Sequence, residues 1–329
     1  MNLHELDFKD LIEKGIEANI DGKYEEAIEY LEKAAEMDPD SINAFYYLAR
    51  AYSAKNNHMK AAKCYEKIVE LESNTINFHN LACEYFYSKK YDEAINAYEK
   101  ALDINPKYGL SLDGIGTAYG SKGDFDKAIE YYKRACEEKP ENDIYLSHLG
   151  WALGCNGEYE LAIMYLEKAL KINPKISEAL YNLGFSYYYL EEYAKAIKNY
   201  LKASDLGYQS ADLFVNIAYA FEELKEDEKA NEFFKKAVEI EPNNIENLFL
   251  YGNNLQEMGK VKEAVRIFRK ILENEPVNLD AYRELGICLD DLKNFEEASK
   301  CFKKVFEIQK GDIKKPAPTV KAKFKIKET

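Results

Sequence analysis

The sequence predicts an all-α chain, a right-handed α-solenoid in which short helix-turn-helix units stack end on end. Three observations carry that expectation. A small residue recurs at Ala27, Ala61, Ala94, Ala128, Ala162, Ala196, Ala230, Ala264 and Ala298, in seven steps of 34 residues and one of 33. A second small series, Gly15, Ala49, Ala82, Gly116, Gly150, Gly184, Ala218, Gly252 and Gly286, keeps the same phase. Many intervals close on a pair such as Asp38-Pro39, Asn105-Pro106 or Asn173-Pro174, and proline disfavours helix in the residue before it. A fixed period of this length marks supersecondary units that bury their faces only by stacking.

Taken in order, residues 1–7 lead in, and units open near Phe8, Ile42, Thr75, Gly109, Asp143, Ser177, Ala211, Ile245 and Leu279, ending near residue 310. The junction Leu71-Glu-Ser-Asn-Thr-Ile76 is one residue short and lacks the proline, which predicts a local bend. The unit at 177–210 shows the internal pattern. Ala179, Leu180, Leu183, Gly184 and Tyr187 recur three and four apart, a break follows at Leu190-Glu-Glu, and Tyr193, Ala196, Ile197, Tyr200 and Ala203 form a second stripe. The two small series let paired backbones approach. Large residues fill the remaining gaps: Tyr52, Tyr85, Tyr119 and Tyr187 on first helices, and Tyr98, Tyr132, Tyr200, Phe234, Phe268 and Phe302 on second helices.

A large residue, Leu-Gly, an aromatic, then Ala, an aromatic and Pro over 34 residues resembles the tetratricopeptide repeat, nine times in phase over residues 8–310. Lys14 stands where the family has Leu, as expected of a terminal unit. The resemblance implies that first helices line an inner, concave groove and that the chain binds protein rather than catalyses.

Composition agrees with a helical protein: 47% hydrophobic and 32% charged, with few Gly and Pro. The net charge of −14 argues against nucleic acid as a partner. It is uneven. Residues 311–329 hold six lysines against Asp312 and Glu328, a net of +4, leaving −18 on the rest. No run approaches eighteen apolar residues, so no membrane span is expected. The N-terminus reads as having no signal peptide, and the six scattered cysteines read as reduced thiols, both pointing to the cytoplasm. No phosphate loop, nucleophile elbow, HExxH or EF-hand loop occurs, so neither an enzyme nor a cofactor or metal is expected. His4, His58, His79 and His148 have no partner fixed by local spacing.

The groove-facing positions follow from phase: the second, fifth, ninth, twelfth and thirteenth of each first helix. In the middle units these supply Phe86, Tyr87, Trp151, Tyr181, Phe185, Tyr188, Tyr189 and Tyr219. These either anchor a ligand or pack against neighbouring first helices. The last units supply carboxylates, among them Glu222, Glu223, Glu257, Asp290 and Asp291, which suit a basic segment or serve solubility. Asn80, Asn182 and Asn216 sit just before the Leu-Gly position. That resembles, in part, the asparagine ladder of the O-linked N-acetylglucosamine transferase repeats, which implies contacts to peptide backbone. His148, Gly114, Tyr47, Leu250 and Glu284 interrupt it. No triplet of units matches the carboxylate clamp that binds chaperone C-termini.

The expected function is therefore a scaffold or adaptor that binds an extended or helical segment of another protein. A peptide-sensing regulator acting through a separate partner, or an accessory subunit presenting substrate to a transferase, remain alternatives. In the segment 311–329, Val320, Ala322, Phe324 and Ile326 alternate with lysines. It reads either as a flexible tail or as an extended segment that docks. Self-association through the last repeat or this segment is a further expectation.

Overall fold

The computed structural model describes residues 6–311, and the basic segment from 312 onward lies outside them. The described residues form eighteen α-helices. They are α1 Phe8–Ile20, α2 Tyr24–Met37, α3 Ile42–Ala54, α4 His58–Leu71, α5 Thr75–Tyr87, α6 Tyr91–Ile104, α7 Gly109–Ser121, α8 Phe125–Glu138, α9 Asp143–Cys155, α10 Tyr159–Ile172, α11 Ser177–Tyr189, α12 Tyr193–Asp205, α13 Ala211–Glu223, α14 Asp227–Ile240, α15 Ile245–Glu257, α16 Val261–Asn274, α17 Leu279–Asp291 and α18 Phe295–Lys310. The odd-numbered helices begin at the nine residues expected to open units.

Local chemistry sets these boundaries. Asp7, Ser41, Asn74, Asn142, Ser210, Asn244 and Asn278 cap first helices, each side-chain oxygen accepting from the backbone N–H three residues on. The turn inside each pair holds one left-handed residue: Gly22, Gly123, Gly157 and Gly259, but also Asn56, Lys89, Glu191, Lys225 and Lys293. A side chain there costs about 1 kcal/mol, which the packed helices on either side outweigh. The short junction after α4 is closed by Ser73 Oγ donating to the Val69 carbonyl at 2.8 Å and Asn77 Nδ2 to the Glu72 carbonyl at 2.9 Å. Beside it α4, α5 and α6 leave an open cavity of about 540 Å³, lined by Val69, Phe78, Tyr85 and the carboxylates Glu66, Glu70 and Asp92 among others.

By packing, the chain divides into two compact units at Gly157 and Glu158. The sequence treats 8–310 as one array; the structure places α1–α9 in the first unit and α10–α18 in the second. Within each unit, every helix packs against its neighbours in sequence. First helices also meet the next first helix, as in α5 with α7, α7 with α9 and α11 with α13. Leu6, in the lead-in, is buried with Leu11, Ala34 and Ala44, so the core of the first unit starts before α1.

All nine alanines of the 34-residue series are buried. The large residue four positions later, Leu31, Tyr65, Tyr98, Tyr132, Leu166, Tyr200, Phe234, Phe268 or Phe302, meets the small residue of its own first helix wherever that residue is glycine within one unit. A Cβ on Gly116 would lie 2.7 Å from the ring of Tyr132, and one on Gly184 2.6 Å from that of Tyr200. Gly116→Ala should therefore destabilise the protein by about 1–3 kcal/mol through overpacking. Urea denaturation of the variant measures this, and an unchanged midpoint would refute the contact.

Candidate functional site

Each unit carries its own part of the first-helix face. In the first unit, the C-terminal end of α5 presents Tyr87, 63% exposed. Its ring lies 5.1 Å from His58 and 5.6 Å from Phe86, and Phe86 lies 5.5 Å from Tyr91. His58 Nδ1 is 2.9 Å from the buried Glu84 carboxylate, which holds the imidazole under Tyr87. Trp151 is half-buried. A Cβ on Gly120 would lie 2.7 Å from its indole, and Phe125 meets it edge-on at 5.8 Å. Of the two roles the sequence leaves open for Trp151, this geometry describes packing, because the indole fills the space Gly120 leaves on α7. Asn80 is half-buried on the same α5.

Each described histidine of this unit meets a neighbouring side chain. His79 Nδ1 lies 3.2 Å from Ser111 Oγ and Nε2 3.6 Å from Cys83 Sγ. Burial pushes its imidazole down from 6.5 to about 4, so it is neutral at pH 7. His148 Nδ1 pairs with Asp113 Oδ1 at 2.8 Å. None of the six cysteines is in a disulfide. Among the described residues, no group of three or more His, Cys, Asp or Glu is placed to hold a metal ion, and no helix is long and apolar enough to cross a membrane.

The second unit carries an aromatic shelf. Tyr189, 41% exposed, stacks on Tyr159 with centroids 4.9 Å apart and rings 4° from parallel. Phe185 lies 4.8 Å from Tyr189, and Tyr188 lies 5.9 Å from Tyr189 and 5.3 Å from Tyr193. Tyr159 and Tyr193 are members of the site that phase analysis of first helices missed. Their signal is the aromatic opening successive second helices at Tyr91, Phe125, Tyr159 and Tyr193.

Carboxylates border the shelf. After burial, the nearby Glu223 carboxylate is the main influence raising the Tyr188 hydroxyl above its ordinary range. Glu222 Oε1 accepts from Asn254 Nδ2 at 3.0 Å, and Asn254 Oδ1 from Asn231 Nδ2 at 2.9 Å. Burial holds the Glu222 carboxyl above the usual range, and Glu257 and Glu223 add to the effect. Tyr219 is half-buried against Phe234 at 5.7 Å. Glu257, Asp290 and Asp291 are exposed.

Three expected groove residues are not available there. Tyr181, Phe185 and Asn216 are buried, Asn216 to 1%. Tyr208, from the connection after α12, stacks over Tyr181 at 4.9 Å, and Asn216 Nδ2 donates to Tyr181 Oη at 2.9 Å. Asn216 thus satisfies a neighbouring helix rather than an open groove. Asn182 is half-buried.

The second-helix tyrosines complete the polar accounting. Tyr98 Oη lies 3.4 Å from Cys83 Sγ, and Tyr132 Oη donates to Thr117 Oγ1 at 3.0 Å. The equivalent place facing Tyr200 is Phe185, and Tyr200 Oη is buried with no hydrogen-bond partner among the described residues.

Helix pairs repeating in this register match family descriptions along the chain. Models of the tetratricopeptide repeat match residues 18–82, 78–108 and 181–245. The chain belongs to the tetratricopeptide-repeat family. A model of anaphase-promoting complex, cyclosome, subunit 3 also matches 121–203 and 225–305 of this repeat protein. Hsp70-Hsp90 organizing protein 3 of Arabidopsis thaliana is 30% identical over 94 residues, 28% of this chain and 17% of that one. A photosystem I assembly protein Ycf3 of Prochlorococcus marinus is 33% identical over 86 residues, 24% of this chain. The match spans half of that relative's length. Among solved structures, YrrB, described as a TPR protein with an unusual peptide-binding site, superposes with a TM-score of 0.50 at 28% identity, over 55% of this chain and 94% of that one. A tetratricopeptide repeat protein from Parabacteroides merdae ATCC 43184 shares the fold with a TM-score of 0.61 at 18% identity, over 75% of this chain and 98% of that one.

Tyr200→Phe should be neutral or stabilising, whereas Tyr132→Phe, which removes the hydrogen bond to Thr117 Oγ1, should cost about 1 kcal/mol. Paired denaturation curves check the contrast. His79 gives a pH dependence of definite sign. Its folded pKa lies below its unfolded one, so the unfolded chain binds the extra proton between them. Stability should fall as pH drops from about 6.5 towards 4, by up to about 3 kcal/mol from this residue. Denaturation at pH 7 and pH 5 should show a shallower loss in His79→Gln than in the unmodified protein.

Proposed function

We propose that this chain is a protein-interaction scaffold that binds a segment of another protein, extended or helical, on its first-helix face. The observation that carries the reading is the shelf in the second unit. An aromatic pair, Tyr189 on Tyr159, stands partly exposed beside Glu223 and the Glu222–Asn254–Asn231 chain. Stacked rings offer rigid apolar area with little side-chain entropy to lose, and adjoining carboxylates favour Lys or Arg next to the apolar anchor. Cation–π attraction adds to both.

The buried Phe185 supports Tyr189 and Tyr159 from below, whereas Tyr181 and Asn216 are taken up in packing with Tyr208 and Tyr200. Tyr87 over His58 supplies a second contact area within the first unit. Glu257, Asp290 and Asp291 extend the negative field, and Asn80 and Asn182 reach peptide backbone from half-buried positions. The likeness to YrrB supports peptide binding as a class, and the organizing and assembly proteins among the relatives support a non-catalytic role. The cytoplasm is the compartment proposed for it.

Selection of a displayed random peptide library against the full chain tests this. The enriched peptides should carry Lys or Arg beside an aromatic or aliphatic residue. Their affinity should fall roughly tenfold or more in Tyr189→Ala and in Glu223→Lys with helicity unchanged, and should weaken as salt rises. Enrichment without basic residues, or full binding by both variants, would overturn the reading.

A further inference from the structure

The cavity between α4, α5 and α6 marks a place where the repeat lacks a side chain. The seventh residue of the second helix is Tyr30, Cys64, Ala97, Tyr131, Tyr165, Asn199, Phe233, Ile267 and Cys301 in turn. Ala97 is the smallest of these, and it lines the cavity. Four repeats on, Phe233 occupies the same position with a ring. That ring lies 6.1 Å from Phe214 and 5.6 Å from Phe221, stacked within 26° and 19° of parallel. Lys236 covers it, with Nζ 4.4 Å from the ring centre and 5.8 Å from that of Phe214. Tyr131 stacks in the same way on Tyr119 at 5.9 Å, beneath Arg134.

The residues four repeats before Phe214, Phe221 and Lys236 are Phe78, Tyr85 and Lys100, and all three line the cavity. Lys100 Nζ keeps its place 5.8 Å from the Phe78 ring. The walls and the cation of an aromatic sandwich are thus present, and Ala97 supplies no ring between them. The carboxylates on the rim are already engaged. Glu66 accepts from Tyr85 Oη, Glu70 pairs with Lys67, Asp92 with Lys122 and Glu93 with Lys90. Recognition here therefore rests on the apolar slot and not on free charge.

We infer that this cavity receives the side chain of a phenylalanine or tyrosine from a partner protein, inserted as Phe233 is inserted four repeats on. Its volume of about 540 Å³ lies in the range of ligand pockets and accommodates a ring with the backbone that carries it. Asn96, exposed on the rim, offers its amide to that backbone. Stacking on Phe78 and Tyr85 under the Lys100 cation favours an aromatic ring over an aliphatic side chain. The cavity shares no residue with the shelf of the second unit.

Ligand-observed fluorine NMR of the full chain with N-acetyl-4-fluorophenylalanine amide tests this. N-acetyl-tyrosine amide should displace the probe, and N-acetyl-leucine amide at equal concentration should not. 4-Fluorotoluene, the same ring without the backbone, should bind several-fold more weakly. Ala97→Tyr supplies the ring from within, as Tyr131 and Tyr165 do in their repeats. It should keep or raise the urea midpoint and weaken the probe roughly tenfold or more. Lys100→Ala, at an exposed side chain, should weaken the probe several-fold with the midpoint unchanged. Tyr189→Ala should leave probe binding as it is. Absence of binding, full binding by Ala97→Tyr, or a midpoint lowered by that substitution would overturn the inference. So would equal displacement by the leucine amide, equal binding of 4-fluorotoluene, or loss of binding in Tyr189→Ala, which would place the probe on the shelf. Binding that appears only once residues 312–329 are removed would make Phe324 of this chain the occupant in place of a partner.

Discussion

In five of the nine helix pairs a glycine of the first helix lies directly beneath the large side chain of the second: Gly15 under Leu31, Gly116 under Tyr132, Gly184 under Tyr200, Gly252 under Phe268 and Gly286 under Phe302. There is no room for another atom between them. A ring pressed on a bare backbone fixes the distance and the register of the two helices at once. The alanine four residues before each ring does the same from the second helix, and all nine are fully or almost fully buried. The period of the chain is the period of this contact. Any insertion within a pair would lift the ring off its glycine, whereas the connections between pairs vary in length, as after α4 and after α12.

Because that contact holds each pair, positions beside it are free to differ, and the differences set local chemistry. The residue after the small one is Cys83, Thr117 or Phe185. The first two meet the hydroxyl of Tyr98 or Tyr132, and the third leaves that of Tyr200 without a partner. An unsatisfied buried hydroxyl costs about 1–3 kcal/mol. The fold tolerates it at Tyr200, where Phe185 instead supports Tyr189 and so helps build the aromatic shelf. Stability at one repeat is exchanged for an exposed stacked pair at its edge.

The architecture was legible in the sequence because the glycine, alanine and ring series are contacts within one pair, at fixed separations along the chain. The site was legible only in part, because its side chains answer to neighbours at variable separations. Phase alone placed Tyr181 and Trp151 on the first-helix face. It could not show that Tyr208 would fold over the first, since that depends on the longer connection between α12 and α13. Nor did it weigh Gly120, whose missing side chain receives the indole of Trp151. A small residue late in one first helix and a large one at mid-helix in the next is a signal that pairwise reading could have used. The carboxylates were read as a group by charge, but Glu222 is distinguished from Glu223 by Asn254, which lies 32 residues on.

A stacked array must also end, and the structure shows what an end costs. Within each unit, the ring over the small residue is covered on its far side by the next first helix, as Phe268 is under α17. At α18 no described helix follows, and the same ring that locks Phe302 to Gly286 is left with its other face in water. Phe295 and Phe306 enlarge that exposure. A polar end helix would present charged residues at these positions. The three phenylalanines in one stripe are what the packing pattern of the repeat leaves when no described helix continues it.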